Sequence, residues 1–108
     1  MSFLMFYVTH PDEACARRIA GQLLDKKLIA CANIFPVASA YWWQESVQHD
    51  QEWVSVLKTT PELEQSLEQA VAAMHPYDLP CILRFEVRAN VAYEQWIRDS
   101  TKRVQADS

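Results

Sequence analysis

The sequence predicts a ferredoxin-like α+β sandwich, within the broad α/β class, and three observations carry that expectation. Strand-like and helix-like segments alternate in the order β-α-β-β-α-β-α, the split β-α-β pattern with a helix added at the end. Both main helical segments open on a threonine, a nearby proline and first-turn carboxylates. Half of the 108 residues are apolar and 22% are charged, enough to fold as one domain spanning residues 1–108.

Phe3 to Thr9 is a short apolar run rich in aromatic residues, expected as a buried strand. In Thr9-His10-Pro11-Asp12-Glu13, threonine can cap a helix, proline sets φ in its first turn, and the carboxylates meet the positive end of the dipole. Ala16, Ile19, Ala20, Leu23 and Leu24 then share one helical face. Gly21 sits within that helix, where close approach of a neighbouring strand would explain it. Ala30 to Phe35 reads as a strand, Pro36 as an interruption marking a bulge or edge, and Ala38 to Trp43 as its resumption. Gln44 to Gln51 is polar and turn-like, and Glu52 to Thr59 is the returning strand of a long, bent hairpin. Thr60-Pro61-Glu62 starts the second helix, whose stripe is Leu63, Leu67, Ala70, Val71 and Met74. His75-Pro76-Tyr77-Asp78-Leu79-Pro80 ends it. Cys81 to Arg88 alternates cleanly, and Tyr93, Trp96 and Ile97 mark a last helix, with fraying expected from about Thr101.

Composition excludes several functions. Ten Lys and Arg against fourteen Asp and Glu give a net charge of -4, the wrong sign for nucleic acid or an anionic membrane surface. Gly21 is the single glycine, where average usage gives roughly eight, so no glycine-rich phosphate cradle can form. Three cysteines with no Cys-x-x-Cys make neither a disulfide framework nor a structural zinc pattern. The apolar opening lacks the basic flank and cleavage site of a signal peptide, and no run reaches membrane-span length. A reducing cytoplasm is the expected compartment. The tryptophans of the hairpin, Trp42, Trp43 and Trp53, are too much apolar surface for so small a monomer to hide. A homo-oligomer of closed symmetry is therefore expected.

Few residues carry chemistry. His75 could ligate a soft or borderline metal and Tyr77 could hydrogen-bond a ligand, or the pair could simply end a helix. Cys31 and Cys81 could be soft-metal thiolates or small buried hydrophobes, and Cys15 could gain from a helix dipole or be filler. Lys58 could draw an anion to the following helix N-terminus or snorkel. The tryptophans could stack on a planar ligand or build core and interface. His10 and His49 are expected to face solvent. No Ser-His-Asp order or His-Glu-x-x-His helix appears, and no enzyme is expected.

Six segments in register resemble the CutA family of divalent-cation tolerance proteins: Val8–Glu13, Leu28–Ile34, Tyr41–Trp43, Leu57–Thr60, His75–Pro80 and Tyr93–Ile97. The resemblance implies a ferredoxin-like subunit, a homotrimer with strands pairing between subunits, and kinship of architecture with PII signalling proteins. It also implies a role in tolerance of copper and other divalent cations, with no catalytic residues to carry over. This chain departs from the family pattern at informative places. Glu45 replaces the glycine of the hairpin tip, Cys81 a carboxylate, and Val37 and Ala89 two further glycines. The family's copper-ligating cysteine aligns with Val8, and a histidine of some members with Met74. His75 remains as a candidate metal ligand and Cys81 is a soft donor gained. Two functions follow as expectations. In one, a cytoplasmic homotrimer binds copper or another divalent cation weakly through His75 and Cys81. In the other, an intersubunit cleft near Trp43, Glu52, Lys58, His75 and Tyr77 takes a small anionic ligand.

Overall fold

The structure, a computed structural model, describes residues 2–102. Its elements run β1 (Phe3–His10), α1 (Glu13–Asp25), β2 (Cys31–Trp43), β3 (Ser46–Thr59), a 3-10 turn (Pro61–Leu63), α2 (Glu64–Met74), β4 (Ile82–Val87) and α3 (Val91–Ser100). The four strands form one antiparallel sheet in the order β2-β3-β1-β4. β1 and β2, joined through α1, are separated by β3, which is the split β-α-β arrangement the sequence predicts.

Alternation along β1 divides the sheet faces. Leu4, Phe6 and Val8 meet Ile19 and Leu23 of α1, Leu67 and Val71 of α2, and Leu57 of β3 in the main core. On the opposite side, Phe3 joins Ala30 and Ile97 in a second cluster, against which Val87 and Tyr93 pack, so α3 covers one end of the other face. β4 turns its apolar alternation away from the main core: Leu83 and Phe85 are exposed. Its Arg84 lies across Phe6 from β1, 5.1 Å from the ring centroid, and reaches Glu64 at 2.7 Å and Glu68 at 2.6 Å on α2. Two carboxylates spaced one helical turn apart match the planar fork of one guanidinium.

Several local expectations are corrected. Thr9 stays in β1, and Asp12 caps α1 by accepting from the Cys15 amide at 2.8 Å, since a shorter carboxylate side chain past Pro11 reaches the first free N–H groups. Thr60 precedes the 3-10 turn without a side-chain capping bond. A Cβ on Gly21 would meet nothing within 4 Å, so no close strand accounts for it. Pro36 does not interrupt β2. It pairs with Trp53 in register, and β2 is the edge strand, where a missing N–H costs no ladder bond. Thr101 is buried and its hydroxyl donates to the Ile97 carbonyl at 2.9 Å; residues 103–108 of the expected fraying tail lie outside the described residues.

The hairpin is longer than its polarity suggests. Trp43 pairs with Ser46, leaving Gln44 and Glu45 as a two-residue turn with φ of 51° and 69°. Positive φ at both central positions is the geometry whose twist matches the flanking strands. The polar segment from Ser46 to Gln51 is therefore strand, pairing with Ala38 to Trp43 beyond the reach of the helices. At about 3.3 Å per residue, the fourteen residues of β3 run most of the molecule's longest extent, 51 Å. Phe35, Tyr41, Trp42, Trp43 and Val47 are exposed along this ribbon. An L residue in the left-handed region costs about 1 kcal/mol that glycine does not incur. Glu45→Gly is accordingly expected to raise unfolding stability by about 1 kcal/mol, read as a higher urea midpoint at unchanged slope.

Candidate functional site

The second half of the sheet, where β1 ends and the hairpin leaves the core, carries the candidate site. A cleft of about 820 Å³ opens between residues 38–43 of β2 and the segment 76–79 that follows α2. Thr9, Glu52 and Cys81 also line it. Tyr41, Trp42, Trp43 and Tyr77 give it aromatic walls; its ionisable lining is Glu52, Asp78, Cys81 and the two tyrosines, with no lysine or arginine.

Glu52 opens the buried part of β3 and is only 8% exposed. The Tyr77 hydroxyl donates to its Oε2 at 2.8 Å. Burial first, and then this carboxylate, raise the Tyr77 pKa well above the usual phenol range. Burial, then Glu52, also push the Cys81 thiol up, so it holds its proton at neutral pH. Near the rim, Tyr41 donates to Asp50, and that bond to a carboxylate raises the phenol's pKa.

His75 pins the segment after α2 to the end of β1. Its Nδ1 accepts from the Tyr77 amide at 3.1 Å. That leaves the proton on Nε2, which donates to the Thr9 carbonyl at 2.7 Å. Both ring nitrogens are thus engaged in holding backbone, so a metal ion at His75 must displace one of these bonds. Among the described residues, no three His, Cys, Asp or Glu side chains gather as a metal site, which is fewer donors than a tightly held zinc ion takes.

The structure collects some of the expected residues and separates others. Trp43, Glu52, Tyr77 and Cys81 share the cleft, with His75 bonded to its Tyr77 wall. Lys58 lies at the other end of β3, opposite Met5 and Cys31, with its ammonium 3.2 Å from the Tyr93 hydroxyl and 5.3 Å from that ring's centroid. Cys31 touches the same hydroxyl at 3.6 Å. His49 is exposed as expected, but His10 is not: it is 0% exposed. Its ring stacks on His75 with centroids 5.2 Å apart, and His75 meets the Tyr77 ring edge-on at 4.8 Å. Its Nε2 lies 2.8 Å from Ser55 Oγ and its Nδ1 3.9 Å from Cys15 Sγ. The missed signal was periodic: His10 continues the alternation Leu4, Phe6, Val8 and so falls on the core side of β1.

Burial, reinforced by His75 and then Arg18 and only partly opposed by Asp12, lowers the His10 pKa to about 4. The unfolded chain takes up this proton near the ordinary value of 6.5. His10 therefore contributes stability that is fully present above about pH 6.5 and is lost as pH falls toward 4. A loss of about 3 kcal/mol per chain across that window is expected. Urea midpoints measured from pH 7 to pH 4 should show it, and His10→Asn should flatten that part of the profile.

Comparison with known proteins agrees with this architecture. Residues 4–100 match the family model of the CutA1 divalent ion tolerance protein. The divalent-cation tolerance protein CutA of Thermotoga maritima is 39% identical over 98 residues, covering 90% of this chain and 97% of that one. The crystal structure of CutA1 from Ehrlichia chaffeensis superposes with a TM-score of 0.89 at 39% identity, covering 93% of this chain and 95% of its own. The Archaeoglobus fulgidus CutA structure, described as a periplasmic divalent cation tolerance protein, gives 0.89 at 36% identity, covering 94% of this chain and 100% of its own. The chain therefore belongs to the CutA1 divalent ion tolerance family.

Proposed function

We propose that this chain acts in divalent-cation tolerance as a cytoplasmic, non-catalytic homotrimer that binds copper or a similar cation weakly at its cleft. The observation that carries the reading is the cleft's charge. A carboxylate 92% removed from solvent (Glu52, 8% exposed) sits there beside aromatic walls, and the lining residues include no lysine or arginine. A buried anion is costly unless a positive group completes it, and a cation supplies that group. Cys81 adds a soft donor on the same wall, and His75 becomes available once the Tyr77 amide or Thr9 carbonyl lets go. Having to break those bonds makes the binding weak.

Assembly is supported by what the subunit leaves uncovered. Trp42 is 73% exposed, and Phe35, Trp43, Leu83 and Phe85 are also open to solvent on the hairpin and on β4. Copies of the chain that cover these side chains would bring further donors to the cleft from across the seam. Among the described residues no helix is long and apolar enough to cross a membrane, and all three cysteines are free thiols, which suits a reducing compartment.

The alternative, a small anion in the cleft, finds less support. Lys58, the residue that motivated it, lies away from Glu52 at the far end of β3 and is held by Tyr93. An anion would have to approach Glu52 and Asp78 with only a neighbouring subunit to offer compensation.

Two measurements test the proposal. Sedimentation of the purified protein should give three times the 12.5 kDa subunit mass, and Phe85→Glu should shift it toward one; a wild-type chain that sediments as a single subunit removes the assembly. Titration calorimetry with copper(II) or zinc should show weak binding that falls at least fivefold in Glu52→Gln and in Cys81→Ser. Unchanged isotherms in both variants would dismiss the cleft as the cation site.

A further inference from the structure

A second cluster of donors lies outside the cleft, under the N-terminal turn of α1. Cys15 Sγ and His10 Nδ1 face each other at 3.9 Å. That contact is a long hydrogen bond, in which the Cys15 S–H is the donor to the Nδ1 of a fully buried imidazole. Ser55 Oγ at 2.8 Å engages the other nitrogen, Nε2. A proton on Nε2 directed at Ser55 leaves Nδ1 as the lone pair facing the sulfur. An outer hydrogen bond that fixes tautomer and ring orientation is the arrangement a metal-ligating histidine requires.

We propose that Cys15 and His10 form a two-coordinate site for a soft monovalent metal ion of the copper(I) or silver(I) class. Taking the thiolate and imidazole bonds that zinc makes, about 2.3 and 2.0 Å, as the scale, the 3.9 Å separation fits a bridging ion at an angle of about 130°. Widening the pair by about 0.4 Å makes the angle linear. Thiolate is the donor that selects soft ions, and two ligands without water suit an ion content with low coordination. Charge sets the valence. Arg18 Nη2 lies 3.7 Å from the sulfur on the exposed face of α1. A monovalent ion on a thiolate makes a neutral unit beside that guanidinium, whereas a divalent ion leaves a net positive one. The Asp12 carboxylate is already committed, through Oδ1, to the Cys15 amide. Cys15 is 7% exposed, so the sulfur lies just beneath Arg18, and swinging that side chain aside opens the way in.

The uptake balances simply. Burial keeps the Cys15 thiol protonated before the ion arrives. The S–H bond breaks, an S–metal bond and an N–metal bond form, one proton leaves to solvent, and no electrons change hands.

The site is tested with silver(I), and anaerobically with copper(I) held by a chromogenic chelator, on the full chain. Expected are one ion per chain held against the chelator, beyond any weak uptake at the cleft, one proton released for that ion, and X-ray absorption at one equivalent showing one sulfur and one nitrogen neighbour. Cys15→Ser should weaken binding at least a hundredfold, while Cys31→Ser keeps it within twofold. Should Cys15→Ser fail to fold, iodoacetamide mapping of the wild type serves instead: silver should protect the Cys15 peptide from alkylation before those of Cys31 and Cys81. Retained stoichiometric binding in Cys15→Ser, a sulfur-only coordination sphere, or unprotected Cys15 would overturn the assignment. Loss of cation binding at the cleft in Glu52→Gln leaves this site untouched, so the two readings fail separately.

Discussion

The register between β1 and β3 is the constraint on which the rest of the molecule depends. Phe6 opposes Leu57, Val8 opposes Ser55 and His10 opposes Trp53. Because successive strand residues point to opposite faces, a slip of one residue would exchange every one of these side chains across the sheet. Leu57 would leave the core, Ser55 would leave His10, and Glu52 would turn away from Tyr77. The main core enforces the register, since only one alignment buries Leu4, Phe6, Val8 and Leu57 together against α1 and α2. The apolar core thereby sets the geometry of a polar site to which it contributes no atoms.

Polar side chains hold the remaining pieces by satisfying backbone groups and each other. His75 ties the segment after α2 to the last carbonyls of β1, and through it Tyr77 is carried over Glu52. Arg84 performs the matching task at the other edge, where its guanidinium lies over Phe6 and joins two acids of α2. In both places a charged or titratable residue lies against a buried ring, Arg84 over Phe6 and His75 on His10. Their worth lies less in Coulomb energy than in fixing direction, because each makes two hydrogen bonds from one rigid plane. The same economy explains why His75 is a poor free ligand: its nitrogens are already spent on the chain.

The hairpin is where the exposed apolar surface and the cleft meet. Its outer half pairs strand to strand but carries no helix above it, so its tryptophans and tyrosine remain open while the inner half is packed. An open aromatic ribbon beside a buried carboxylate combines two features, uncovered apolar surface and a negative lining. The acidic lining is the feature on which the proposed cation chemistry rests.

The amino-acid sequence by itself determined the element order and the faces of α1 and α2, apart from Leu24, which the structure leaves exposed on α1, because those follow from spacing that no distant contact alters. It also marked Trp43, Glu52, Tyr77, His75 and Cys81, four of which the fold brings to one cleft and the fifth to its wall. The two-residue turn at Gln44 and Glu45 was hidden because neither residue is a glycine, and the polar strand after it because no helix demands apolar residues there. The burial of His10 and its approach to Cys15, and the distance of Lys58 from Glu52, were decided by tertiary structure alone. Burial and approach are properties of chain segments brought together through long-range packing, and a local pattern carries no record of which segment will arrive.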